Sequence, residues 1–101
     1  MYDHMTSPVN INGTVTTPPR SSVASGTCTT EFTITVPTGE QVRCTATGTA
    51  AMQCEADLSD GVPASFSGEM TWAPHDDGVT FDLYMVVDSF IIDPAYFASL
   101  L

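Results

Sequence analysis

The segment TCTTEFTITV, residues 27–36, decides the fold of this 101-residue chain. In an extended chain, alternate side chains point to opposite faces. One face of this segment is mostly apolar and carries Cys28, Thr30, Phe32, Ile34 and Val36. The other face carries threonines and Glu31. A period of two in β-branched and aromatic residues predicts a strand with one buried face.

Extended patterns and turn signals continue on both sides of this strand. Further strands are predicted at residues 9–16, 41–48, 62–74 and 79–93. Residues 17–27, TPPRSSVASGT, are rich in Pro, Ser and Gly and predict an exposed, mobile loop, whereas PTGE at 37–40 and HDDG at 75–78 predict tight turns. Gly13 inside the first strand indicates a bulge or a close backbone approach.

One short helix is predicted between the third and fourth strands. Residues 49–61 begin with Thr49, which suits an N-cap, and stop at Gly61. Helical spacing relates Ala51, Met52, Glu55 and Leu58. The last residues, PAYFASLL, are predicted to be a short apolar tail without a further element.

Three strands, a helix and two strands predict an all-β, five-stranded oligonucleotide/oligosaccharide-binding (OB) fold, a Greek-key barrel. A small β-sandwich is the alternative. We expect a single domain over residues 1–101, with its core at about 9–93.

Charge is the most unusual feature of the composition. Twelve acidic residues face two basic ones, Arg20 and Arg43, and the formal net charge is −10. Such a field repels phosphate, although halophilic or solubility requirements also produce acidic surfaces. The sequence has no run of eighteen apolar residues and no signal-peptide pattern at its start, so we expect a cytoplasmic chain without a membrane partner.

Few residues suggest catalysis or metal binding. Cys28, Cys44 and Cys54 lack CxxC spacing, and buried free thiols are favoured over a Cys44–Cys54 bridge. No Ser–His or Cys–His arrangement stands out around His4 and His75, and the HDDG segment is typical of a turn. We therefore expect neither enzyme activity, nor a cofactor, nor a metal site.

Several segments together resemble the bacterial single-stranded DNA-binding protein family, including its small relative, primosomal replication protein B. They are VNINGTVTTPP (9–19), SGTCTTEFTITV (25–36), GVPASFSGEMTW (61–72) and VVDSFIID (86–93). The resemblance implies single-strand binding by aromatic stacking and assembly into dimers or tetramers through strand one. The sequence departs from the family in lacking its groove lysines, the aromatic of its second hairpin, and its glycine-rich linker with an acidic end.

On matching positions, the resemblance implies that Trp72 and Phe32 stack on bases and that Arg20 and Arg43 contact phosphates. A sole Trp in a small barrel also suits a core or an interface. Phe32 belongs to the alternating apolar face of its strand, which favours burial.

Two main hypotheses follow for a non-enzymatic protein of DNA replication, recombination or repair, of the kind that a phage or plasmid encodes. The first is weak, salt-sensitive binding of single-stranded DNA. The alternative is an acidic adaptor or inhibitor that binds a basic DNA-processing protein, or imitates nucleic acid, through Asp76, Asp77, Asp82 and Tyr84. An inert assembly subunit is a third possibility. The β-branched strand one and the apolar tail, with Tyr96, Phe97, Leu100 and Leu101, predict a homo-oligomer, at least a dimer.

Overall fold

The computed structural model describes residues 5–100, which form five strands and two helices. The elements are β1 (Met5–Ala24), β2 (Thr27–Thr35), β3 (Gln41–Thr47), α1 (Gly48–Asp57), β4 (Pro63–Pro74), β5 (Phe81–Ile92) and α2 (Pro94–Ser99). The strands close into one barrel in the order β1-β2-β3-β5-β4, in which only β3 and β5 pair in parallel. The predicted five-stranded OB-fold with a helix between the third and fourth strands is therefore confirmed.

The core is built from alternate positions of all five strands. The Phe66 ring is fully buried and lies between Phe32 and Phe90, with ring centroids 5.7 and 6.1 Å away. Helix α1 packs against β1, β2 and β3 and adds Ala51 and Cys54 to the core. Because inward and outward positions alternate, the other face of each strand is free to build a surface.

The loop predicted at residues 17–27 is wrong. Strand β1 continues to Ala24 and pairs with β2 as far as the partners Ala24 and Thr27. The connection is the two-residue turn Ser25–Gly26, with φ of 52° and 77°. Positive φ at both central residues defines a turn whose twist matches that of the flanking strands, so the Ser and Gly close a hairpin.

Two prolines in β1 made this segment look irregular. Pro18 and Pro19 lie in a register shift between Thr17, which pairs with Thr33, and Arg20. A bulge accommodates residues that cannot donate to the ladder, and the pairing resumes directly after it. The strand is therefore interrupted locally but not ended.

Helix α1 is shorter than predicted. It ends at Asp57 rather than near Gly61, because Leu58 turns to an extended conformation with φ −100° and ψ 142° and is buried. Its N-cap is Thr47 rather than Thr49. Met52 shares the predicted helical spacing with Ala51 and Leu58, but it is 64% exposed whereas those two residues are buried.

The apolar tail contains an element that was not predicted. Helix α2 begins after Asp93, whose carboxylate accepts a hydrogen bond from the Ala95 backbone N–H at 2.9 Å. Pro94 occupies the first turn, where its missing N–H costs nothing. Tyr96 of this helix packs against the core. Among residues 5–100, no helix is long and apolar enough to cross a membrane.

Two glycines allow strands to approach closely. A Cβ on Gly13 would lie 3.0 Å from Cδ1 of Ile34, which confirms the predicted close approach. A Cβ on Gly68 would overlap the backbone carbonyl oxygen of Val86. Gly68 also lies at the register shift between β4 and β5, so the barrel depends on its missing side chain.

Candidate nucleic-acid interface

A depression of about 410 Å³ opens on the outer face of the barrel, across β1, β2, β3 and β5. Its lining includes Arg20, Arg43 and Tyr84, with Glu31 and threonines 17, 33 and 45 around them. The depression thus combines two cations, the Tyr84 ring and several hydroxyl groups above the buried Phe32 and Cys44.

The sheet register explains why both arginines face the same side. Arg20 on β1 pairs with Glu31 on β2, which in turn pairs with Thr45 on β3. Arg43 is two residues before Thr45 and therefore shares its face. The two arginines lie two strands apart across the sheet and two residues apart along it, so their Cα atoms are roughly 12 Å apart. The pair is spaced to contact different groups of one extended ligand.

Charge is locally balanced at this depression. Arg20 has Glu31 as its cross-strand partner, and Nη1 of Arg43 lies 4.0 Å from Oδ1 of Asp82. The Arg43 and Asp82 side chains are 68% and 47% exposed, and pairs of this kind are weak. The chain as a whole carries −10, so this face is much less acidic than the average surface.

Phe32 does not offer a face for stacking. It is 3% exposed and packs against Phe66, so it contributes to the floor of the depression while nearly all of its surface is buried in the core. Its alternation with other apolar residues indicated this burial, which is confirmed. The stacking role that the resemblance implied for Phe32 stays a prediction, and it requires a base to displace core residues to reach the ring.

Trp72 and Tyr84 lie on opposite faces of the β4–β5 hairpin. Tyr84 pairs with Thr71 across the β4–β5 ladder, whereas Trp72 pairs with Leu83. Because neighbouring residues on a strand point to opposite faces, Trp72 projects away from the face that carries Tyr84. Tyr84 precedes the fully buried Met85, and this alternation is the signal that places it outward.

The hairpin turn between β4 and β5 uses Asp77 structurally. Oδ1 of Asp77 accepts hydrogen bonds from the backbone N–H groups of Val79 and Thr80, at 2.9 and 3.0 Å, and Oδ2 accepts one from the Thr80 hydroxyl. The Thr80 backbone bond first, then the Val79 bond, lowers the pKa of Asp77 below its ordinary value. Gly78 has φ 71°. The turn chemistry predicted for HDDG is confirmed.

The other members of the proposed protein-facing set are divided. Asp76 is exposed at the hairpin tip. Asp82 lies between His75 and Arg43, and its Oδ1 is 3.1 Å from Nε2 of His75. Asp82 therefore belongs with the arginine face rather than with the tip.

The two buried cysteines are poorly reactive. All three are free, and Cys44 and Cys54 are buried. Burial, with a smaller contribution from Cys54, raises the pKa of Cys44 to about 12. Burial, then Asp57, raises the pKa of Cys54 to about 11. Both thiols stay protonated at neutral pH and lack the thiolate of a nucleophilic cysteine.

No protein-family model and no curated protein matches the sequence. Solved structures do match the fold. The SSB domain of a protein from Synechococcus sp. has a TM-score of 0.73 at 14% identity, covering 89% of this chain and 98% of that chain. The second single-stranded DNA-binding protein (SSBb) of Mycobacterium smegmatis has a TM-score of 0.77 at 14% identity, covering 89% of each chain.

A third match is the small single-stranded DNA-binding protein of Streptomyces coelicolor, with a TM-score of 0.74 at 14% identity, covering 89% of this chain and 94% of that chain. None of the three is a primosomal replication protein B, so that part of the resemblance stays a prediction. The chain has the SSB-like OB-fold that these three structures share.

Proposed function

We propose that the chain binds single-stranded DNA on its arginine face, as a non-enzymatic component of DNA replication, recombination or repair. One observation carries the proposal: Arg20 and Arg43, the only basic residues of the sequence apart from histidines, meet Tyr84 in one depression. OB-folds bind oligonucleotides on the face of strands two and three, which is where this depression lies. The likeness to SSB domains supports the same face.

Each group has a distinct task in this proposal. The Tyr84 ring stacks on one base, an interaction worth about 1–3 kcal/mol that does not depend on sequence. The two guanidinium groups contact phosphates, and the threonine hydroxyls donate hydrogen bonds to phosphate or sugar oxygens. The strand lies across β2 and β3.

Binding of this kind is weak and sensitive to salt. Two arginines neutralise two phosphates at most, so the logarithm of the association constant falls with the logarithm of salt with a slope of about −1.4. The net charge of −10 opposes contact with phosphates beyond the depression. Short strands therefore bind almost as well as long ones.

Fluorescence anisotropy of labelled oligothymidine at low salt tests the proposal. Arg20→Gln and Arg43→Gln each remove one positive charge from the depression. Gln53→Glu changes the net charge by the same amount on the exposed side of α1 and serves as the matched control. We expect each arginine variant to weaken binding more than the control does. Equal losses in all three variants, or no wild-type binding at tens of micromolar protein, contradict the proposal.

An acidic adaptor or inhibitor is the second candidate function. The net charge of −10 and the exposed Asp76 at the hairpin tip favour it, since acidic surfaces accelerate encounter with basic proteins. Changing Asp76 and Asp77 together to Asn distinguishes the two functions, and Asn serves the same turn. If the chain is an adaptor, the double variant should associate with a lysine-rich model peptide more slowly than the wild type does. If the chain binds DNA, the double variant should bind oligothymidine more tightly than the wild type does.

Assembly into a homo-oligomer also remains a proposal. Ile91, Phe97 and Leu100 are 73%, 54% and 64% exposed near the end of β5 and on the tail. Exposed apolar side chains in proximity are typical of an interface. Their burial between copies of the chain is the assembly that we expect.

A further inference from the structure

Asp82 on β5 is hydrogen-bonded to His75 and forms a longer ion pair with Arg43. Its Oδ1 atom lies 3.1 Å from Nε2 of His75 and 4.0 Å from Nη1 of Arg43. All three side chains are about half exposed or more, so a ligand reaches them without rearrangement of the core. One carboxylate oxygen is thus shared between a histidine and an arginine of the proposed binding face.

The charged groups around His75 are few. Asp82 faces it from β5, and Arg43 of β3 lies beyond the shared oxygen. On its own hairpin, Asp76 follows directly and Asp77 is committed to the turn. Histidine is the side chain that ordinarily changes charge between about pH 5 and 8, whereas aspartate and arginine ordinarily keep theirs there.

A phosphate and a carboxylate compete for the same guanidinium group. Arginine binds both through charge-assisted hydrogen bonds, so the nearby Asp82 carboxylate weakens the attraction of Arg43 for a phosphate. A neutral His75 donates one hydrogen bond to Asp82 and leaves the carboxylate charge in place. A protonated His75 is a cation 3.1 Å from the Asp82 carboxylate, closer than Arg43 at 4.0 Å, and offsets the carboxylate charge.

We propose that Asp82 competes with the DNA phosphate for Arg43, and that protonation of His75 relieves this competition. The inference rests on the proposed DNA binding and specifies how that site is regulated. Affinity for single strands then rises as the pH falls. For an exposed ion pair of this kind, removal of the competition increases affinity about two- to fivefold.

The affinity test compares oligothymidine binding at about pH 5.5 and pH 8, low salt, in matched variants. At pH 8 we expect Asp82→Asn to bind more tightly than Asp76→Asn, which removes the same charge from the same hairpin. His75→Gln keeps a hydrogen-bond donor without the charge, and we expect it to lose most of the pH response. Equal gains from the two Asp variants, or an unchanged pH response in His75→Gln, overturn the proposal.

A second measurement needs no DNA. The sequence has two arginines, so ¹⁵N NMR gives two arginine Nε signals, and Arg20→Gln identifies that of Arg43. We expect the Arg43 signal to follow protonation of His75 in the wild type and to be static in Asp82→Asn. A static wild-type signal with intact oligothymidine binding overturns the competition alone. Failure to bind oligothymidine at either pH overturns the proposed function, and the competition with it.

Discussion

Trp72 and Tyr84 project from opposite faces of the β4–β5 hairpin. Trp72 pairs with Leu83, and Tyr84 pairs with Thr71. Successive pairs of an antiparallel ladder point their side chains to opposite faces of the sheet. Only Tyr84 shares the depression with the arginines. The chain's one tryptophan therefore lies off the face on which we propose that a base stacks.

Removing the Tyr84 ring is expected to weaken DNA binding. Tyr84→Ala loses one base-stacking contact, so we expect the dissociation constant for oligothymidine to rise about 5- to 150-fold. Tyr84→Phe keeps the ring and is expected to bind within about twofold of the wild type. Trp72→Phe tests the opposite face by the same anisotropy titration. A larger loss from Trp72→Phe than from Tyr84→Ala would show that the stacking ring is Trp72.

Asp77 is expected to stabilise the hairpin above acidic pH. Hydrogen bonds from Thr80 and Val79 lower its pKa in the folded chain below the ordinary 3.8. Its contribution is therefore present above that value and is lost as the pH falls through the lower, folded-state pKa. We expect Asp77→Ala to reduce Tm at pH 7, and the difference from wild type to shrink near about pH 2. Asp76→Ala is the control. An equal loss of Tm in Asp76→Ala would show that the hydrogen bonds of Asp77 in the turn do not cause the effect.

The three thiols are expected to react at different rates with iodoacetamide. Cys28 is partly exposed, whereas Cys44 and Cys54 are buried and have pKa values of about 12 and 11. Mass spectrometry of the native protein at mildly alkaline pH should show one modification, at Cys28. The remaining two should appear only in denaturant. Rapid native modification at Cys44 would contradict the burial beneath the depression.

Gly68→Ala is expected to destabilise the barrel. The added Cβ would overlap the Val86 carbonyl, and overpacking against backbone costs about 3 kcal/mol. Gly39→Ala tests backbone strain without a steric clash, because Gly39 has φ 94° and no atom lies near its missing Cβ. We expect it to lower the free energy of unfolding by about 1 kcal/mol. Urea denaturation measures both free energies of unfolding. A smaller loss for Gly68→Ala than for Gly39→Ala would contradict the close approach.

Self-association is expected to strengthen with salt. Two chains of net charge −10 repel each other, and moderate salt screens this repulsion beyond about 10 Å. Light scattering at low and moderate salt should report at least a dimer, more fully at the higher salt. Phe97→Ser, on the exposed side of α2, should lower the mass. A monomer at both salt concentrations would remove the oligomer from consideration.

The strands were predictable wherever one face alternates cleanly. Residues 27–36 correspond closely to β2, and 62–74 to β4. The hairpin that closes at Ser25–Gly26 was missed because a proline pair seven residues earlier suggested a loop, whereas a bulge accommodates it. Helix α2 was missed although Asp93 followed by Pro94 is an N-terminal helix signal.

The site was predictable only in its parts. Arg20 and Arg43 were identified by charge, but their meeting depends on a register that joins three strands. Tyr84 was assigned to a protein-facing hairpin, because the direction of a side chain near a turn is fixed only once a neighbour such as Met85 is known to be buried. Long-range pairing, rather than local propensity, makes this face.

The prolines in β1 have a consequence for the behaviour of the protein at high concentration. The pairing of β1 with β4 ends at Thr14. Beyond Thr14, β1 pairs with β2 on one edge, and no strand among the described residues pairs with its other edge. An open edge of this kind invites the strands of neighbouring molecules and leads to aggregation. Pro18 and Pro19 lie in the register shift of this segment and have no backbone N–H, so a strand from a neighbouring molecule cannot form a continuous ladder along it.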